Sequence, residues 1–249
     1  MNGECVMGKY WYRISKSSDN MAHREWKMDM QLSVSKDADV EYLSYFYEDV
    51  ESLYDGNDIS VIVEELNKTK PENIILTGFL QDQIEIILPY IKDNVKILSL
   101  FKCKNLVSWD FLTECKKLEV VDIYINQKVT ALWDIKQTPY LHTLVIDSCN
   151  KLNDFAPLKN SGITRLEIWG CNYLSSSTPK IKIDDLSIFQ TMPNLEVLRL
   201  AIMKNDNQEK DFEDLMKLTG LKTFRIQPRY FSAEKMKKLK EILPYEIYE

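Results

Sequence analysis

Apolar residues recur along the chain as apolar-x-x-apolar-x-apolar, at Val95/Leu98/Leu100, Leu118/Val121/Ile123, Leu141/Leu144/Ile146, Ile163/Leu166/Ile168, Leu195/Leu198/Leu200 and Leu221/Phe224/Ile226. A seventh set, Pro71/Ile74/Leu76, fits one unit upstream. The sets begin at 71, 95, 118, 141, 163, 195 and 221, so the steps are 24, 23, 23, 22, 32 and 26 residues. Such a unit is too short to bury its apolar side alone, and stacking onto its neighbours solves that. Each set therefore predicts one short strand, a turn, and a return segment leading to the next parallel strand. An apolar anchor recurs before each new set, at Leu112, Ile135, Leu158, Phe189 and Leu215.

This period, with this internal pattern, is the signature of a leucine-rich repeat solenoid. The expected fold is α/β: a right-handed arc with a concave parallel β-sheet and convex short helices or turns. Rungs about 4.8 Å apart would make seven of them span roughly 34 Å. The repeat domain covers residues 71–249, and residues 1–70 form an N-terminal strand/helix cap over the first rung. In that cap Trp26, Met28, Met30, Leu32 and Val34 alternate with polar residues as in a half-buried strand. Tyr10 and Tyr12 hint at another strand. Leu43, Phe46, Val50 and Leu53 fit one helix face, capped by Asp37 or Asp39, with Val40/Leu43/Tyr45 as a degenerate rung the alternative. Asp58 or Ser60 caps a helix burying Ile59, Ile62 and Leu66. Asp110, Asp134 and Asp154 suggest short, carboxylate-capped turns on the return side. The 32-residue step holds an excursion over 175–183, expected at the surface, and Ser232 caps a final helix ending near Leu243.

Eight residues after the start of three rungs stand Cys103, Cys149 and Cys171; Asn126 holds the same slot in a fourth. There the chain leaves the strand, and a small inward polar group satisfies the turn's backbone. The slot degrades to Phe79, Met203 and Arg229 toward the ends. With no CxxC pair and only two histidines, no metal site is expected, and these thiols read as reduced core cysteines.

If positions one, four and six pack inward, positions three, five and seven line the opposite, open face. Phe101, Tyr124 and Trp169 fall in one column of that face. Asp122, Asp147 and Glu167 form an acidic run, and Arg165, Arg199 and Arg225 lie toward the C-terminal end. Aromatics with arginine dominate protein–protein hot spots, so these nine residues are the candidate partner-binding set. No catalytic residue is expected: no Gly-rich phosphate loop occurs, and His142 and Cys149 are assigned to opposite sides of their rung. No cofactor is implied. A net charge of −6 argues against nucleic acid as the main partner. No apolar run of signal-peptide or bilayer-spanning length occurs, so no membrane association and a cytoplasmic location are expected.

The return Leu152-Asn153-Asp154-Phe155-Ala156-Pro157-Leu158 resembles the leucine-x-aspartate-x-x-proline-leucine segment of the short 22-residue repeats in bacterial proteins related to internalins. Units around Val129–Asp134 and Ile168–Cys171 look similar to cytoplasmic bacterial repeat proteins of uncharacterised function. The resemblance covers about 71–249, and implies a solenoid and, as a class tendency, protein binding. The expectation is a monomeric, non-catalytic module binding a protein partner of unknown identity through the concave sheet. The alternative is an immunity- or antitoxin-like inhibitor whose acidic run neutralises a toxin or enzyme.

Overall fold

A computed structural model of the chain describes residues 30–35, 50–56, 58–170 and 178–246. It is an α/β fold built on one nine-stranded sheet. Seven strands come one from each repeated set: β3 (Asn73–Thr77), β4 (Ile97–Phe101), β5 (Val120–Tyr124), β6 (Thr143–Asp147), β7 (Arg165–Trp169), β8 (Val197–Ala201) and β9 (Thr223–Ile226). Each pairs in parallel with the next in chain order, a solenoid-like succession in which each return segment crosses over to the adjacent strand. The register never slips. Asn73, Ile97, Val120, Thr143, Arg165, Val197 and Thr223 form one unbroken row, and every later position follows suit. A one-residue slip would turn each apolar triad to the wrong side, which is why the pattern fixes the register so firmly.

Two further strands extend the sheet at its N-terminal edge. β1 (Met30–Ser35) pairs antiparallel with both β3 and β2 (Val50–Gly56). The alternation through Met30, Leu32 and Val34 is therefore a strand, while Trp26, Met28 and the tyrosines at 10 and 12 lie outside the described residues. The helix expected through Val50 and Leu53 is corrected: both lie in β2, where cross-strand pairing with β1 outweighs an apolar spacing that also suits a helix. Val40, Leu43, Tyr45 and Phe46, and the caps Asp37 and Asp39, lie outside the described residues.

Return segments change form along the chain. α1 (Ile59–Thr69) is capped by Asp58, whose carboxylate accepts the Ser60 N–H, and it buries Ile62 and Leu66. α2 (Gln81–Ile91) follows β3. The shorter units that come next have room only for 3-10 turns at Asp110–Glu114, Ile135–Gln137 and Ala156–Leu158. Another such turn, Leu186–Thr191, follows the long step. Then come α3 (Gln208–Met216) and α4 (Ala233–Ile242), the last capped by Ser232. Asp134 and Asp154 accept turn amides from Lys136 and Ala156 as expected. Asp110 does not cap its turn: its own N–H donates to Ser108 Oγ. All five return anchors are buried, together with the inward triads, in one continuous core.

At the ends of β3, β4, β5 and β6 the chain turns through positive φ, at Gly78, Lys102, Ile125 and Ser148. The N–H of each donates to the last residue of the next strand: Phe101, Tyr124, Asp147 and Trp169 respectively. Inside this turn the predicted slot acts as expected at three positions. Cys103 and Cys149 are buried with their thiols near the carbonyls of Leu76 and Asp147. Asn126 is the strongest of the three: its amide donates to the Cys103 and Leu106 carbonyls and its oxygen accepts the Lys128 and Val129 N–H groups, all between 2.8 and 3.0 Å. Cys171 lies outside the described residues. Asn126→Ala is expected to cost about 2 kcal/mol by orphaning buried backbone groups, and Asn126→Cys roughly half that. Urea unfolding of both variants checks this; equal losses would mean the slot needs only volume.

The 175–183 excursion requires correction over its described part. Thr178, Lys180 and Lys182 are exposed as expected, but Ile181 and Ile183 between and beside them enter the core. The backbone of Lys180 donates to the Gly170 carbonyl and Met203 N–H to the Ile181 carbonyl, which ties the segment between two rungs. This close approach explains the glycine at 170: a Cβ there would lie 2.8 Å from Ile181 N and 2.9 Å from Ala201 O.

Candidate functional site

Alternation places all nine candidate residues on the sheet face opposite the helices, as the sequence implies. Their exposure is the surprise. Asp122 is 7%, Tyr124 8%, Asp147 5%, Glu167 5%, Trp169 4% and Phe101 4% exposed. The expectation of an open face is thus corrected for these six. Arg165, Arg199 and Arg225, toward the C-terminal end, are half-buried.

The three aromatics share a column without forming one stack. Phe101 and Tyr124 stack at 5.1 Å between ring centroids. Asp147 then intervenes on β6, and Trp169 turns its indole N–H to Glu167 at 3.3 Å. Trp169 packs instead with Val145 and Ala201 in a small cluster separate from the main core.

The acidic run divides into three different environments. Asp122 accepts a hydrogen bond from the buried Ser99 hydroxyl at 2.9 Å. Burial pushes the Asp147 carboxyl up to about 7; the Ser148 hydroxyl, donating at 2.7 Å, opposes this and the charge of Asp122 adds to it. Burial also disfavours charge on Glu167, but the guanidiniums of Arg199 and Arg165 outweigh it and hold this carboxyl below the usual range. Each of those arginines approaches Glu167 to 2.7 Å, and Arg199 makes a second pair with Glu246 at 2.8 Å. A tail residue therefore completes the arginine end of the face. No repeat position pointed to Glu246, which is brought there when Pro244–Glu246 hydrogen-bonds alongside Phe224 of β9.

Arg225, in β9, pairs with Arg199 in register, so the cationic end spans two adjacent strands. Burial raises the thiols of Cys103 and Cys115 to about 12, and raises that of Cys149 further still. His142 Nδ1 lies 3.0 Å from Thr143 Oγ1, and burial lowers its pKa, against the pull of Glu119. Among the described residues no group of three or more His, Cys, Asp or Glu side chains is arranged to hold a metal ion. No helix among them is long and apolar enough to cross a membrane. What the geometry defines is an α/β protein with a polar and aromatic sheet face. No known protein family, curated protein or solved structure matches the chain.

Proposed function

We propose that this chain is a leucine-rich repeat protein that binds a protein partner, without catalysis, through the sheet face bearing Phe101, Tyr124 and Trp169. One observation carries the reading. Seven strands in unbroken register place aromatic rings and an arginine–carboxylate network in a single plane, the residue types on which interface energy concentrates. The inhibitor reading has less support, because it requires an acidic run directed at a basic partner. Glu167 is instead engaged by two arginines of its own chain.

Phe101, Tyr124 and Trp169 are buried, so replacing them would confuse folding with binding. The half-buried Thr223 and Arg225 avoid this. In an affinity capture from native lysate, Thr223→Glu/Arg225→Glu is expected to lose a retained protein by about 10-fold or more, while its melting temperature stays within a few degrees of wild type. A protein retained equally by both forms would remove the assignment to this face.

A further inference from the structure

The described sheet ends in two edge strands, β2 and β9, and they are finished differently. On β9 the Phe224 N–H donates to the Pro244 carbonyl and the Glu246 N–H to the Phe224 carbonyl, both at 2.9 Å. The Tyr245 hydroxyl donates to the Ile226 carbonyl at 2.6 Å. These are the groups that β9 turns away from β8, since the N–H groups of Thr223 and Gln227 go to the β8 side. Pro244–Glu246 runs parallel to β9 with Tyr245 opposite Phe224, so it stands where another rung would. Tyr245 continues the inward row Leu166–Leu198–Phe224, its ring 5.9 Å from that of Phe224. Glu246 comes next in the sheet-face row Glu167–Arg199–Arg225. Its carboxylate latches onto Arg199 there, at 2.8 Å from Nε and 2.9 Å from Nη2.

At the other edge, β2 pairs with β1 alone among the described residues. Because β1 is antiparallel to both β2 and β3, β2 runs parallel to β3–β9. A β2 from a second copy laid against β9 can therefore take the direction that Pro244–Glu246 takes. The two segments also share a pattern, an aromatic followed by an acid: Tyr54-Asp55 in β2 and Tyr245-Glu246 beside β9. Their rows agree. Tyr54 is in register with Leu32 and through it with the inward Leu76, while Asp55 is in register, through Gln31, with Thr77 of the sheet face. Tyr54 opposite Phe224 thus sets Asp55 opposite Arg225, one strand spacing of about 4.8 Å away. Charge agrees as well. β2 carries Glu51 and Asp55 with no basic residue, whereas β9 carries Arg225 with no acid and has Arg199 beside it on β8. A bare strand edge is a template for another strand, so covering it controls what can be added.

We propose that Pro244–Glu246 is a displaceable stand-in for a strand, and that the strand it keeps from β9 is β2 of a second copy. With this segment lifted, copies add head to tail, each β9 to the next β2. The contact joins two different surfaces, so association continues past the dimer. It uses the edge of the sheet rather than its face, needs no other protein, and stands apart from the partner reading above.

Sedimentation of the full-length chain tests this with no partner present, so its outcome is independent of the capture experiment. Tyr245→Gly/Glu246→Gly removes the ring contact and the latch while leaving the sequences of β2 and β9 intact. Its weight-average mass is expected to rise about 2-fold or more between about 5 and about 200 µM, while that of wild type rises by less than about a tenth. Adding Asp55→Lys, which sets a like charge beside Arg225, is expected to weaken the association by about 10-fold or more. A double-glycine variant that stays monomeric over that range would overturn the proposal. So would wild type associating as strongly as the variant, which would show that the segment blocks nothing. Association that Asp55→Lys leaves unchanged would overturn it too, by assigning the contact to another surface. Should the double-glycine variant lose its melting transition, Glu246→Lys, which keeps Tyr245 and sets a like charge at Arg199, decides by the same readouts.

Discussion

Glu167→Gln is expected to destabilise the fold by about 3 kcal/mol at neutral pH. The wild-type carboxylate sits between two guanidiniums at 2.7 Å and accepts the Trp169 indole N–H. Glutamine keeps the shape but removes the charge. Arg165 and Arg199 then lose the carboxylate they share across β7 and β8, while Glu246 stays beside Arg199. Both arginines retain some solvent contact, which places the loss at the low end of the 3–5 kcal/mol typical of a broken buried pair. The pH dependence follows from the sign. The folded pKa of Glu167 is depressed, so its contribution is complete above the unfolded carboxyl value and disappears as pH falls through the folded one. Urea unfolding at pH 7 and again at pH 3 should therefore show a gap between wild type and variant that closes in acid. A gap below 1 kcal/mol at pH 7 would show that water screens the network.

Much of this architecture was legible because two rules act on every unit at once. Alternation along a strand decides which side Leu98 and Leu100 face, and the constant step decides which residues lie beside them, so rows such as Phe101–Tyr124–Asp147–Trp169 could be written down in advance. The turn slot was legible for a similar reason: Asn126 and Cys103 fill the same small space under a recurring turn. β2 was not, since Val50 and Leu53 carry a spacing compatible with a helix and only the partner strand β1 decides between the two. A local signal for the excursion was present but outweighed by its serine-rich start: Ile181 and Ile183 alternate with Lys182, and both isoleucines point into the core.

The chemical character of the face was the hardest part to read. Asp147 and Glu167 look equivalent in sequence, two carboxylates at neighbouring rungs of one surface. Their pKa values move in opposite directions because Glu167 has two arginines beside it and Asp147 has a second acid. Periodicity identifies the side a residue faces. It says nothing of what lies over that side, and the cover determines both the desolvation and the exposure of these groups.

Asp147→Asn is expected to raise stability at pH 8, by about 2 kcal/mol, within a ceiling near 4 kcal/mol set by moving a carboxyl from its ordinary value of 3.8 to about 7. Asparagine is isosteric, and its Oδ1 can still accept the Ser148 hydroxyl, so the substitution removes the buried charge and little else. The sign is opposite to that for Glu167. A carboxyl with a raised folded pKa binds its proton more tightly in the folded state, so wild-type stability falls as pH rises from about 4 to about 7 and is level beyond. Below about pH 4 both states are protonated and the penalty vanishes. Asp122 and Tyr124 are the ionisable neighbours on β5; Tyr124, itself raised by burial and by Asp147, stays neutral throughout this range. Unfolding free energies measured from pH 4 to pH 8 should therefore nearly coincide for the two proteins at the acid end and diverge steadily toward pH 7. Parallel curves, or a variant less stable at pH 8, would mean that Asp147 is solvated. In that case the burial of this part of the sheet face would itself be in error, since Val145 and Trp169 are buried beside this carboxyl.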